Sequence, residues 1–350
     1  MLKIIRYRNS LLRSTVFLGI ALATSPANSN ACCAVAGVND HVVNASQTVV
    51  MVWDKQRQTQ HFIRKADFKT DAENIGFLVP SPSRPDLEES GSKAFSHLAE
   101  ITAPKTSYGG GFPLGCSAAP IQPKPQGRNV TVIEEKRVAG FDATVLTARS
   151  GEDLVKWLKA NGYAYSPAVA DWAKPYLGGN WHFTALKVSK HETSRDSDEI
   201  KAASLRISFQ TDRPIFPYRE PDSKESSASL DAKSRLLRIY FIAETQYEGK
   251  IDGSRPWTAR TVWSGDITQH REGLLDTLNL PKNTGSEKWW LTKIENDWPY
   301  DKAAGDVYFS PASKQSTFDM SSNSQTNQMD ASALVMIAGF IWVIRMKREK

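Results

Sequence analysis

From residue 32 to residue 309, apolar residues arrive in short runs of about four to eight, each closed by Gly, Pro or charge. Residues 48–53, 59–64 and 75–80 follow one another in this way, with a turn at 54–57 and stops at Pro80, Pro82 and Pro85. Runs of this length suit strands and are too short for a helical bundle. More strands are expected at 130–133 and 143–148 (a hairpin around Gly140), 181–188, 203–209 and 236–244, with a further segment at 289–294. Helical spacing occurs at 92–101 and 272–280. It also occurs after Ser150, with Asp153 three residues on and a stop at Asn161-Gly162, and after Ser166-Pro167, with an end at Gly178-Gly179. Strand runs interrupted by helix pairs, without βαβ alternation, predict an α+β fold, mostly antiparallel sheet with interspersed helices.

The two ends differ from this body. Lys3, Arg6, Arg8 and Arg13 precede an apolar core at 14–24 and a small, polar stretch at 25–31. That order predicts a secretory signal peptide, cleaved after Ala31 or Ser29. Cleavage after Ala31 would leave Cys32 first and open to acylation, although Ser29 stands where lipoprotein signals carry a larger aliphatic residue. At the other end, 331–344 is apolar apart from Ser332, and Arg345, Lys347, Arg348 and Lys350 follow. Such a helix rises only about 21 Å against a hydrocarbon core of about 30 Å, so spanning needs snorkelling side chains or a thinned bilayer. The expectation is a C-terminal transmembrane anchor at 331–346 with a basic cytoplasmic tail at 347–350. A tail removed by processing is the other reading. Residues 310–330, rich in Ser, Asn and Gln, are expected to form a flexible stalk. The plan is therefore signal peptide 1–31, envelope domain 32–309 with a candidate subdivision near 125, stalk, anchor and tail.

A formal net charge of +6 invites a nucleic-acid partner until it is divided. Segment 1–31 holds four basic residues and no acid; 331–350 holds four basic residues and one acid. Removing both from 44 basic and 38 acidic residues leaves 36 and 37, a net of −1. No nucleic-acid partner is expected of so neutral a body.

Export implies a compartment where disulfides persist. The cysteines are Cys32, Cys33 and Cys116. A Cys32–Cys33 bond would be vicinal and strained, so Cys116 is expected to pair with Cys32 or Cys33, with Cys33–Cys116 the candidate. The loop of about 84 residues so closed would be worth roughly 4–5 kcal/mol in the chain-entropy model.

No cofactor or metal motif occurs, and six histidines are scattered. Ser90-Gly91-Ser92-Lys93 has the Ser-x-x-Lys spacing of penicillin-recognising enzymes but lacks their partner motifs, so these serines are read as helix caps. Leu280-Pro281-Lys282-Asn283-Thr284-Gly285 looks like a sortase signal with one residue too many and is read as a turn after a helix. His182 is read as an ordinary strand histidine, Gly109-Gly110-Gly111 as a loop, and Asp212-Arg213-Pro214 as a turn with a local ion pair. No catalytic residue is assigned. Five tryptophans cluster late: Trp257, Trp263, Trp289, Trp290 and Trp298. Core filling is their first use; an exposed subset would make an aromatic recognition surface.

Several blocks resemble a bacterial family. They are Phe77-Leu78-Val79-Pro80-Ser81-Pro82, the segment 138–146, the segment 153–163, Trp181-His182-Phe183-Thr184-Ala185-Leu186-Lys187-Val188, and 205–217. Together they resemble the exported family called domain of unknown function 2330, over most of 32–270. The resemblance implies an envelope protein with a signal peptide and carries no catalytic residues. Many members open with cysteines spread around a Gly-Gly pair, and Cys32-Cys33-Ala34-Val35-Ala36-Gly37 departs from that.

These readings describe an exported, membrane-anchored cell-envelope protein whose domain is a non-enzymatic binding or assembly module. Its partners would be the membrane, through the C-terminal segment, and a protein or glycan of the envelope. The alternative is an envelope hydrolase whose site is assembled from residues far apart in sequence.

Overall fold

Strand β2 (Gln47–Asp54) is buried at every position but Thr48, as the unbroken run Val49-Val50-Met51-Val52-Trp53 requires. The computed structural model that shows this describes residues 33–35, 47–64, 67–69, 76–103, 129–163, 168–188, 199–201, 204–221, 236–297 and 305–320. The expected signal peptide, anchor and basic tail lie outside the described residues. So do Cys32, Cys116, Gly109-Gly110-Gly111, Ser166-Pro167 and Trp298.

Beside β2 lie its antiparallel hairpin partner β3 (Thr59–Arg64) and the parallel strand β13 (Leu237–Ala243). The full eight-stranded sheet has the order β19 (Phe318–Asp319), β16 (Arg260–Asp266), β17 (Trp290–Asn296), β13, β2, β3, β11 (Ser204–Gln210), β6 (Asp86–Ser90). A five-stranded antiparallel sheet runs β1 (Cys33–Val35), β5 (Gly76–Ser81), β9 (His182–Val188), β8 (Phe141–Ala148), β7 (Val130–Val138). A four-stranded sheet is made of β12 (Ile215–Phe216), β18 (Val307–Pro311), β14 (Tyr247–Ile251) and β15 (Arg255–Pro256). Strands β4 (Asp67–Lys69) and β10 (Glu199–Lys201) pair separately. Apart from β2 with β13, the pairs among the described residues are antiparallel, so the α+β, mostly antiparallel expectation holds.

The layers follow from the two-residue period of a strand. Val49 and Met51 point into a core shared with Phe77, Phe141 and Val145 of the five-stranded sheet and Phe216, Val307 and Phe309 of the four-stranded one. Val50 and Val52 point the other way, onto α1 (Lys93–Ile101) and α4 (Arg271–Thr277). On the far side, Leu78, Leu146 and Phe183 receive α2 (Gly151–Ala160) and α3 (Ala168–Ala173). The result is helix, sheet, sheet, helix. Strand β5 shares a sheet with β7, β8 and β9, which follow the candidate boundary near residue 125. No helix among the described residues is long and apolar enough to cross a membrane.

Local signals account for much of this. Ala139 (φ 52°) and Gly140 (φ 80°) make the left-handed pair that a two-residue hairpin turn demands. Strand β7 runs on to Val138, beyond the expected 133, because a bulge between Val132 and Glu134 breaks the alternation there. Residues 310–320 of the expected stalk are among the described residues. Ser310 and Pro311 complete β18, and Phe318–Asp319 joins β16. Side-chain hydrogen bonds hold this stretch: the Gln246 amide donates to Gln315 Oε1 (2.9 Å), and Gln315 Nε2 donates to the Ala312 carbonyl (2.7 Å). A polar composition hides such anchoring.

Candidate functional site

Where β2 ends, the eight-stranded sheet meets the four-stranded one at an open cleft of about 240 Å³. Trp53, Tyr247 and Phe309 form a buried aromatic floor, and Lys55, Asp212, Arg213 and Tyr308 line it toward solvent. Pleat geometry sets the floor: Trp53 follows Met51 on the inward face of β2, as Phe309 follows Val307 on β18. Phe241 stacks on Tyr247 (centroids 5.1 Å) and on Phe309 (4.7 Å).

The Arg213 guanidinium lies 3.9 Å from the centroid of the Tyr308 ring. Gly253 permits this approach: its φ is +79°, and a Cβ there would meet Arg213 Nη1 at 2.7 Å. The Phe309 amide donates to the Pro214 carbonyl (2.9 Å) and Thr211 Oγ1 to the Arg213 carbonyl (2.8 Å), which fixes the segment against β18. Lys55 Nζ sits 3.2 Å from Glu244 Oε1, which also accepts from the Tyr247 hydroxyl at 3.1 Å. Burial and the Glu244 charge push that hydroxyl far above the ordinary tyrosine value, so it remains a donor. Glu244 Oε2 is buried without a hydrogen-bond partner among the described residues. The lining contains no histidine or cysteine; its ionisable groups are Lys55, Asp212, Arg213 and the tyrosines.

Two other polar clusters lie elsewhere. Asp306, 4% exposed, accepts from the Tyr176 hydroxyl (2.8 and 2.9 Å to its two oxygens) and from the amides of Tyr218 (3.1 Å) and Arg219 (3.3 Å). Burial pushes the Asp306 carboxyl up despite these donors. The cluster ties the Tyr176 layer to the four-stranded sheet.

On the helix-covered face of the eight-stranded sheet, His61 pairs in register with Ser208, and its Nδ1 lies 2.8 Å from Ser208 Oγ. Burial, aided by the Arg206 charge, brings His61 down to about 4. Asp54 ends β2 on the same face. Burial raises its carboxyl, but the Gly285 amide and Arg57 outweigh that and hold it below the ordinary carboxylate value.

The late tryptophans among the described residues lie in different layers. Trp257 packs on the core between the sheets, whereas Trp263 and the buried Trp289 pack on the helix-covered face. Trp290 is half-buried and donates from Nε1 to Ser264 Oγ (2.8 Å). Among the described residues, the exposed large apolar side chain is Met320. Ser92 makes no side-chain cap bond, and Ser90 Oγ donates instead to the Leu278 carbonyl (2.9 Å). The pseudo-sortase segment is a turn after α4, closed by the Thr284 amide on the Pro281 carbonyl (2.9 Å). His182 Nδ1 lies 2.6 Å from the Asn180 carbonyl oxygen. Sequence reasoning missed the cleft. Arg213 and Trp53 were visible only as turn and strand residues, and the pairing of β14 with β18 that joins their surroundings has no local signature.

The fold and the cleft define a class: a four-layer α+β protein with an aromatic-floored surface cleft. The chain belongs to the bacterial family described as "Uncharacterized protein conserved in bacteria (DUF2330)", which it matches over residues 26–310. Among curated proteins none matches the sequence. Among solved structures it is similar to the crystal structure of baculovirus P35, at 10% identity and a TM-score of 0.32, over 79% of this chain and 97% of that one. So distant a likeness carries no argument.

Proposed function

We propose that this chain is an exported cell-envelope protein, held to the membrane by its C-terminal apolar segment, whose domain binds a glycan or protein partner through the cleft. The observation that carries the binding reading is the Arg213–Tyr308 pair above an aromatic floor, flanked by Lys55 and Asp212. At about 240 Å³ the cleft falls below the roughly 300–1,000 Å³ of small-molecule pockets, which suits part of a larger partner. The address rests on the basic–apolar–small order of 1–31 and the apolar–basic order of 331–350. The family match, at 26–310, leaves most of both segments outside it. An oxidising compartment would favour the Cys33–Cys116 disulfide.

The test compares the full chain with an Arg213→Ala/Tyr308→Ala double variant for binding to solubilised envelope glycan and to envelope proteins. The expected result is a loss of affinity of about tenfold or more in a double variant that still unfolds cooperatively, at a melting temperature lowered by the loss of the half-buried Tyr308 ring. Equal binding by both would remove the cleft from the account.

The hydrolytic reading has one observation in its favour, the His61–Ser208 hydrogen bond on the face that carries Asp54. His61 is only 8% exposed, and neither residue lines the cleft. Labelling of Ser208 by a serine-directed phosphonate in the native protein, lost in His61→Ala, would favour hydrolysis.

A further inference from the structure

Helices α1 and α4 come from distant parts of the chain and meet at two half-buried histidines. His97 lies on α1, and His270 occupies the N-cap position of α4. His97 Nε2 is 3.3 Å from His270 Nδ1, and the ring centroids are 5.2 Å apart with the planes at 79°.

These two distances bear on one another. Two imidazole nitrogens, each about 2.05 Å from one tetrahedral ion, are separated by about 3.3 Å; their ring centroids, about 1.15 Å further out, are separated by about 5.2 Å. The 3.3 Å contact is also a long hydrogen bond between the rings, but a collinear pair at that spacing would put the centroids about 5.6 Å apart. The observed pair is not collinear, and its two separations match those of imidazoles that share one ion.

We propose that His97 and His270 form a two-histidine site for a divalent cation that prefers imidazole nitrogen, of the zinc, nickel and copper class. Gln269 supplies the supporting contact: its side-chain nitrogen Nε2 lies 3.2 Å from His270 Nε2. Turned to present its oxygen, it accepts the ring N–H and leaves the Nδ1 lone pair free for the ion. No third His, Cys, Asp or Glu completes the group among the described residues, so water fills the remaining positions and the ion exchanges readily. By joining α1 to α4, the ion clips the two helices that cover the eight-stranded sheet.

The test titrates the full chain with Zn²⁺ by calorimetry and with Co²⁺ by visible spectroscopy. One zinc per chain with micromolar affinity is expected, with a rise in melting temperature. His97→Ala and His270→Ala should each weaken binding at least tenfold, and His182→Ala should leave it unchanged. The Co²⁺ spectrum should show ligand-field bands without thiolate charge transfer, which reads the site in the unmutated protein. Absence of zinc binding, binding equal in all variants, or a thiolate spectrum from the cysteines would each overturn the proposal.

Discussion

Helices α2 and α3 are neighbours in the chain, whereas α1 and α4 meet through residues 173 positions apart. The first pair covers the five-stranded sheet with rings: Trp172 lies 5.2 Å from Tyr176 and 6.0 Å from Phe183, and Trp157 lies 5.6 Å from Tyr163. The second covers the eight-stranded sheet mainly with Leu98, Leu274, Leu275 and Leu278. Helix α2 carries its own punctuation. The Asp153 amide donates to Ser150 Oγ at 3.0 Å, and beyond Gly162 (φ 68°) the Tyr163 amide closes on the Leu158 carbonyl at 2.9 Å. Helix α1 has no side-chain cap and depends on what it packs against. Local signals set where α2 begins and ends, whereas α1 takes its bounds from docking; helices this short depend on packing in either layer.

That contrast can be broken at several points. The largest effect is expected from Trp172→Ala, which removes a buried ring and its hydrogen bond to the Arg219 carbonyl; urea unfolding should show a loss of about 3–5 kcal/mol. Leu274→Ala in the aliphatic layer should cost about 2–4 kcal/mol. Next is pH. His61 titrates lower in the folded chain than in the unfolded one, so between about pH 6.5 and 4 the unfolded state takes up the extra proton. Stability from this residue is intact above about pH 6.5 and falls by up to about 3 kcal/mol as the pH drops to about 4. His61→Gln should flatten the unfolding free energy over that window. The smallest effects separate the two caps: Ser150→Ala should cost about 1 kcal/mol and Ser92→Ala less than about 0.5 kcal/mol. Equal losses at both serines would remove the distinction between the layers.

The same contrast explains what could be read from the sequence. Ser150, Asp153, Asn161-Gly162 and Gly140 each act within a few residues; helix α2 and the hairpin turn stand where expected, while β7 and β8 run closer to the turn than expected. Helix α4 ends at Thr277, before the expected 280, because Asn279 takes φ 54° and the Leu280 amide closes on the Leu275 carbonyl (2.8 Å). The parallel pairing of β13 with β2 joins strands far apart in the chain, and the cleft inherits that illegibility. The late tryptophans look like one group in sequence because they are close along the chain. The sheet then divides them, since its two faces carry different layers.

The proposed function has a neutral domain carried between an export signal and a membrane anchor. Intact-mass measurement of the protein purified from the membrane fraction tests it most directly. The account predicts a mature N-terminus at Asn30 or Cys32 together with a retained Lys350. A chain that keeps Met1 and is recovered from the cytosol would contradict it.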